Sequence, residues 1–223
     1  MDSTYTPAAH ALGHLKQVDF VAVVGPTAAG KTTLIREAIL RDPTLHLVLN
    51  NTSRARRSDE KEGVDYRFEN RTAMEARIAK GEYAQVAPTL FGDLYATLAT
   101  DYSSDGVAVL PVLADAIPSF RALPFKSMRS LFVLPPDWGT WQHRVGLHNF
   151  PPDKLVKRLA EAHHSLAFAL ADTDTVFVIS RDGPQATEDF ITLSHGRTIT
   201  GPLLQDQQAA PGIARELLHR LKV

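Results

Sequence analysis

Residues Gly25-Pro26-Thr27-Ala28-Ala29-Gly30-Lys31-Thr32 follow the pattern G-x-x-x-x-G-K-[ST], the phosphate-binding P-loop. In such a loop the glycines let the backbone curl until its N–H groups face a polyphosphate. The lysine reaches the β- and γ-phosphates and the hydroxyl ligates Mg2+. In this chain the ATP-binding set is Gly25, Ala28, Ala29, Gly30, Lys31, Thr32 and Thr33. The motif predicts Lys31 as the catalytic cation and Thr32 as the metal ligand. A second candidate lies downstream. Asn50–Arg57 is polar and basic, with Arg54, Arg56 and Arg57 inside four residues. Guanidinium forks suit bidentate phosphate binding, although a solvated charged loop has the same composition.

Both groups of residues need elements to hold them. Asp19–Val24 is a short β-branched apolar run and reads as a buried strand; Thr32–Leu40 has helical spacing. Strand, glycine loop and helix is the setting in which the motif has physical meaning, because the helix adds its positive dipole end to the phosphate cradle. Pro43 stops that helix, and Leu45–Leu49 is the next strand, ending where the basic stretch begins.

Composition sets bounds. The 223 residues suit one sizeable domain, with 44% hydrophobic and 22% charged residues, ordinary for a globular chain. A formal net charge of −1 supplies no field for nucleic acid or an anionic membrane. With no cysteine, disulfides and thiolate metal sites are excluded, which suits the cytoplasm. The first residues show no leader pattern, and no stretch approaches the ~20 apolar residues of a membrane span. Residues 1–17 read as a loosely held extension. His10 and His14 are four apart there, but no third metal ligand accompanies them.

From Thr52 the chain runs T-S-R-x-x-R-x-x-E-x-x-G-x-D-Y-x-F to Phe68. This stretch, with the P-loop upstream, resembles the guanylate kinase family, which carries T-T-R-x-x-R-x-x-E-x-x-G-x-D-Y-x-F after its second strand. The resemblance implies that Arg54, Arg57 and Tyr66 hold the phosphate of a nucleoside monophosphate acceptor. It continues through Gly81–Ala87, similar to G-E-F-x-E-x-A, and Gly92–Thr97, similar to G-N-Y-Y-G-T, which implies acceptor contacts for Tyr95 and Thr97. The family reads guanine with a glutamate and a serine; Gln85 and Asn50 stand at those positions. An amide offers one acceptor and one donor group, where a carboxylate accepts both the N1–H and N2–H of guanine.

Other departures follow. Thr72-x-x-Glu75 reads as a capping box opening a helix that Gly81 ends. At the end of the strand Val107–Leu113, where the family is acidic, this chain has Leu110-Pro111-Val112, with Asp115 the nearest carboxylate. Ser130–Pro136 is similar to the family's strand ending in P-P, and the resemblance implies a mobile lid after it. Arg144 keeps one lid arginine, while Gly146 and His148 replace others; Trp138 and Trp141 read as packing residues. Asp153–Leu170 has one apolar stripe and is the clearest helix, carrying Arg158, which the resemblance implies contacts the transferring phosphoryl group. Adjacent His163 and His164 point to different faces and make poor metal partners. Thr175–Ser180 is the last core strand, residues 183–202 match no part of the family pattern, and Gln205–Leu221 is a closing helix.

The expected fold is therefore α/β: a P-loop three-layer fold with a parallel sheet core, an inserted monophosphate-binding lobe near 50–98 and a short lid near 137–154, within a domain at 18–223. The expected function is ATP-dependent phosphoryl transfer to a nucleoside monophosphate, GMP first, with Mg2+ and with Lys31, Arg144 and Arg158 catalytic. A P-loop kinase of another phosphorylated metabolite and a catalytically impaired binding module are the alternatives.

Overall fold

The computed structural model describes residues 5–56, 60–88 and 92–221. In chain order the elements are α1 (Ala9–Leu12), β1 (Asp19–Val24), α2 (Lys31–Arg41), β2 (Leu45–Leu47), β3 (Asn50–Thr52), β4 (Tyr66–Phe68), α3 (Arg71–Ala79), β5 (Gln85–Pro88) and β6 (Leu94–Thr97). They continue with β7 (Val107–Pro111), α4 (Ile117–Arg121), β8 (Ser127–Leu134), α5 (Trp138–Leu147), α6 (Pro152–Ala171), β9 (Thr175–Ile179), α7 (Gln185–Ser194) and α8 (Gly201–Arg220).

Five strands form a sheet in the order β2-β7-β1-β8-β9. Strands β8 and β9 run parallel, from Ser130 opposite Thr175 to Leu134 opposite Ile179. The central strands are continuous apolar runs with no polar alternation: Phe20–Val24, Val107–Leu110 and Leu131–Leu134 are all buried, as strands covered on both faces must be. The alternation of these strands with helices gives the expected α/β class and parallel core.

The chain divides into two compact units: Met1–Phe20 with His46–Leu110 and Pro118–Met128, and Val21–Leu45 with Pro111–Ile117 and Arg129–Val223. In the first, β4-β3-β6-β5 form a four-stranded sheet. β3 pairs parallel with β4, Asn50 opposite Tyr66, and antiparallel with β6, Asn51 opposite Ala96. Buried Met74, Tyr83, Leu94 and Ala96 form its apolar cluster, joined by Ile78, Val86 and Tyr5. The cap of α3 differs from the expected one: Asn70 caps the helix by accepting from the Thr72 N–H at 2.8 Å, while Glu75 pairs with Arg71. Asparagine at the N-cap competes with threonine on equal or better terms, and of two candidates two residues apart the asparagine caps the helix.

The N-terminal stretch is held more firmly than its composition predicts. The Tyr5 hydroxyl donates to the Tyr83 carbonyl (2.6 Å), the Ala8 N–H donates to the Gly81 carbonyl (3.1 Å), and Leu15 and Val18 are fully buried. His14 Nε2 lies 2.6 Å from the Tyr102 carbonyl, so that ring is committed to a backbone partner.

In the second unit α2 packs on α7, with the Thr187 hydroxyl donating to Glu37 (3.0 Å) and Arg41 paired with Glu188 (2.9 Å). Helix α7 had no counterpart in the sequence reading. Its buried face carries Thr187, Asp189 and Ser194 among Ala186, Phe190, Ile191 and Leu193, and those polar residues blur the apolar period. Helix α6 buries Ala162, Ser165, Leu166 and Ala169, with α8 and α5 beside one another in the same unit.

Candidate functional site

The phosphate loop is built as its motif requires. Gly25 has φ +151, and a Cβ there would collide with the Val133 carbonyl oxygen of β8, so only glycine fits. Gly30, φ +93, turns the chain into α2 as its N-cap. Ala28 takes the left-handed conformation with φ 59, uncommon for a residue with a side chain. The first turn of α2 contains no acidic residue, so its dipole end is not neutralised. Thr32 and Thr33 are exposed on that turn.

Lys31 folds back over its own loop, its ammonium donating to the carbonyls of Gly25 (2.5 Å) and Pro26 (2.9 Å). Burial pulls its pKa down to about 8; the Glu161 carboxylate opposes this and the Arg158 guanidinium adds to it. Arg158 pairs with Glu161 at 2.9 Å, one turn along α6. Arg144, from α5, donates to the Ser180 hydroxyl (3.0 Å) and carbonyl (2.9 Å) and to Asp182 (3.0 Å), and its Nη1 lies 3.9 Å from where a Cβ on Gly30 would sit. Trp141, 1% exposed, donates its indole N–H to the Thr27 carbonyl at 2.8 Å. Lys31, Arg144 and Arg158 thus all belong to the surroundings of one loop. Asp115 is exposed and sits 2.5 Å from His164 Nε2.

On the other unit, Arg54 follows β3. Its two terminal nitrogens donate to the Glu60 carboxylate at 2.9 and 2.7 Å, and its Nε donates to the Tyr95 hydroxyl at 3.0 Å. The guanidinium lies 5.1 Å from the Tyr66 ring centroid and 5.7 Å from that of Phe68. Burial works against its charge, but the Glu60 and Tyr95 contacts outweigh burial and raise its pKa. Arg54, Tyr66 and Tyr95 are therefore brought together, with Glu60 and Phe68, both fixed positions of the same motif, as their supports. Arg57 lies outside the described residues.

Asn50 and Gln85 are buried, at 8% and 6% exposure. The Gln85 amide nitrogen donates to the Ser119 hydroxyl at 3.3 Å. Thr97 is fully buried, its hydroxyl 2.7 Å from that of Tyr102. Ser119, Tyr102, Glu60 and Trp141 had no independent signal in the sequence, apart from Glu60 and its fixed place in the basic motif. Among the described residues no group of three or more His, Asp or Glu is placed to hold a metal ion.

Comparison with known proteins adds to this geometry. The guanylate kinase family model matches residues 17–176. A guanylate kinase of Mycobacterium bovis is 33% identical over 189 residues, covering 82% of this chain and 89% of that protein. One from Thiobacillus denitrificans is 27% identical over 177 residues, covering 77% and 83%. The crystal structure of guanylate kinase from Anaplasma phagocytophilum superimposes with a TM-score of 0.61 at 18% identity, over 87% of this chain and 95% of that one, a likeness of fold. Matched over most of its length, with the phosphate loop and the basic motif both inside the matched span, the chain belongs to the guanylate kinase family.

Proposed function

We infer that this chain is a nucleoside monophosphate kinase that transfers the γ-phosphoryl group of ATP to GMP, giving ADP and GDP. The observation that carries the reading is the phosphate loop around Lys31, complete to its obligatory glycine, in a chain of this family. Lys31 spans its own loop through two carbonyls, contacts that phosphate oxygens replace. Arg54 is stacked over aromatic rings and clamped by Glu60 before any acceptor arrives, so little side-chain freedom is lost on binding a monophosphate. Arg57, Tyr66 and Tyr95 complete the acceptor set, with Asn50 and Gln85 facing the base, while Thr97, fully buried with its hydroxyl on that of Tyr102, supports β6, which carries Tyr95. The acceptor phosphate supplies the attacking oxygen, so no covalent nucleophile is needed and catalysis is positioning with charge neutralisation. Lys31, Arg144 and Arg158 supply that charge. Within the lid segment near 137–154, α5 stays docked on the phosphate loop through Trp141, and the stretch after it closes over the donor phosphates and excludes water.

The donor set fits Mg2+ in one way: the exposed Thr32 hydroxyl on the first turn of α2, with no acidic cluster among the described residues, suits an ion carried chiefly by phosphate oxygens and water. When bound, Mg2+ neutralises phosphate charge. Among the described residues no helix is long and apolar enough to cross a membrane, and a cysteine-free nucleotide kinase suits the cytoplasm.

Gln85 bonded to Ser119, where a carboxylate would be the better guanine reader, favours a second reading in which another base is accepted. One experiment addresses both: coupled ADP release with GMP, AMP, UMP and CMP, for the wild type and Lys31→Ala. ADP release that requires GMP and is lost in the variant is expected. A stronger response to another monophosphate selects the second reading, and none with any acceptor overturns kinase activity.

A further inference from the structure

The phosphate loop contains one residue whose conformation glycine would normally supply. Ala28 has φ 59, and such a residue persists only where its surroundings over-determine it. Its N–H has no partner among the described residues, although the next N–H, of Ala29, donates to the Pro26 carbonyl at 3.3 Å. The peptide before it is held from outside the loop. The indole N–H of Trp141 donates to the Thr27 carbonyl at 2.8 Å, across 114 residues of sequence, from a ring that is 1% exposed. In a trans peptide the C=O and the following N–H point in opposite directions. Fixing the Thr27 carbonyl therefore also fixes the direction of the Ala28 N–H. A left-handed residue following a right-handed or extended one lets successive N–H groups converge into an anion-binding concavity.

Helix α5 is well placed to act as this external clamp. Asp137 caps it, accepting from the Thr140 N–H and hydroxyl, both at 2.8 Å. Trp138 packs edge-on against Trp141 with ring centroids 5.5 Å apart. One turn beyond Trp141, Arg144 is anchored on Ser180 and approaches the same loop at Gly30. Two side chains of one helix thus meet the loop at both of its bends.

We propose that Trp141 is a positioning residue for the phosphate loop: its indole N–H holds the Thr27 carbonyl outward and thereby aims the Ala28 N–H at the donor polyphosphate. This rests on the ATP-binding reading above. An aromatic ring without a donor, such as phenylalanine, would keep much of the packing and lose the hydrogen bond, so the two contributions can be separated at the indole nitrogen.

The test is ATP affinity by titration calorimetry for the wild type and Trp141→Phe, which keeps an aromatic ring and removes the donor. Loss of one buried hydrogen bond predicts a roughly 3- to 10-fold weaker ATP Kd, with the KM for GMP unchanged. An ATP Kd within twofold of wild type, or an equal loss for both substrates, overturns the proposal. A second measurement needs no variant of Trp141. The chain has two tryptophans, so the indole 15N–1H spectrum has two signals, assigned with Trp138→Phe. On adding Mg-ATP to wild type the Trp141 signal is expected to move and its exchange with solvent to slow. An indole signal indifferent to bound Mg-ATP overturns the proposal even if Trp141→Phe does not fold. Failure of wild type to bind ATP at all overturns the ATP-binding reading itself, and this proposal with it.

Discussion

Raising the pH should weaken ATP binding while it strengthens the fold, because both effects come from the lysine of the phosphate loop. Burial pulls the Lys31 pKa down to about 8, with Glu161 opposing and Arg158 adding to the drop. A polyphosphate binds the ammonium form. At pH 9 about nine-tenths of the free molecules would carry the neutral amine, so kcat/KM for ATP should fall about tenfold per pH unit above pH ~8. In the unfolded chain the same lysine titrates near its ordinary value of 10.5. Between about pH 8 and 10.5 the unfolded state therefore binds more protons than the folded one, and stability rises with pH. The slope is about 1.4 kcal/mol per pH unit, on the order of 3 kcal/mol across the window. The assays are the pH profile of kcat/KM for ATP and urea unfolding at pH 7–10.5, with Lys31→Met as the control whose stability should lack this rise. An alkaline limb at pH 10 or above, or a stability rise that survives in Lys31→Met, would refute the assignment.

Arg54→Ala should weaken GMP binding roughly ten- to a hundredfold, the worth of about 1.5–3 kcal/mol for a charge-assisted contact, and leave ATP affinity unchanged. It should also lower the urea midpoint, since the Glu60 carboxylate is only 10% exposed and loses its partner, a cost of about 3 kcal/mol; equal losses for both substrates count against the acceptor role. Gln85→Glu should raise the ratio of kcat/KM for GMP over AMP, by about 1–3 kcal/mol, because two acceptors then face the two guanine N–H groups; a lowered ratio removes Gln85 from base reading. Gly25→Ala should abolish ATP binding and cost about 2–4 kcal/mol of stability by overpacking and strain against the Val133 carbonyl, read by calorimetry and denaturation, and a stable variant that binds ATP would contradict the loop geometry.

The surroundings of Arg54 show why a site is harder to read than a motif. The family resemblance implies a phosphate-holding role for Arg54, and the structure makes it the centre of a fork with Glu60, a bond to Tyr95 and a stack on Tyr66. The cation is therefore fixed by residues up to 41 positions away. Under the proposed acceptor role, its pairing with Glu60 would present the phosphate with an arginine already held in place, which favours orientation over raw charge.

Local requirements were legible in the sequence by itself. The P-loop glycines answer to positive backbone angles that residues with a side chain rarely adopt, and the apolar runs of β1 and β7 and the stripe of α6 follow from strand and helix periods. Helix α2 ends at Arg41, before Pro43, and α6 spans Pro152–Ala171, within two residues of the pattern-based limits. Only the tertiary structure decided what these elements touch. It tied residues 5–18 to the first unit through Tyr83, Gly81 and Tyr102, chose Asn70 over Thr72 as a cap, and buried the mixed face of α7. It turned Thr97 to Tyr102, set Ser119 beside Gln85 and brought the Trp141 indole to the Thr27 carbonyl. Periodicity and turn chemistry act over a few residues, whereas these bonds join side chains whose meeting depends on how separate strands and helices pack, and no local pattern encodes that.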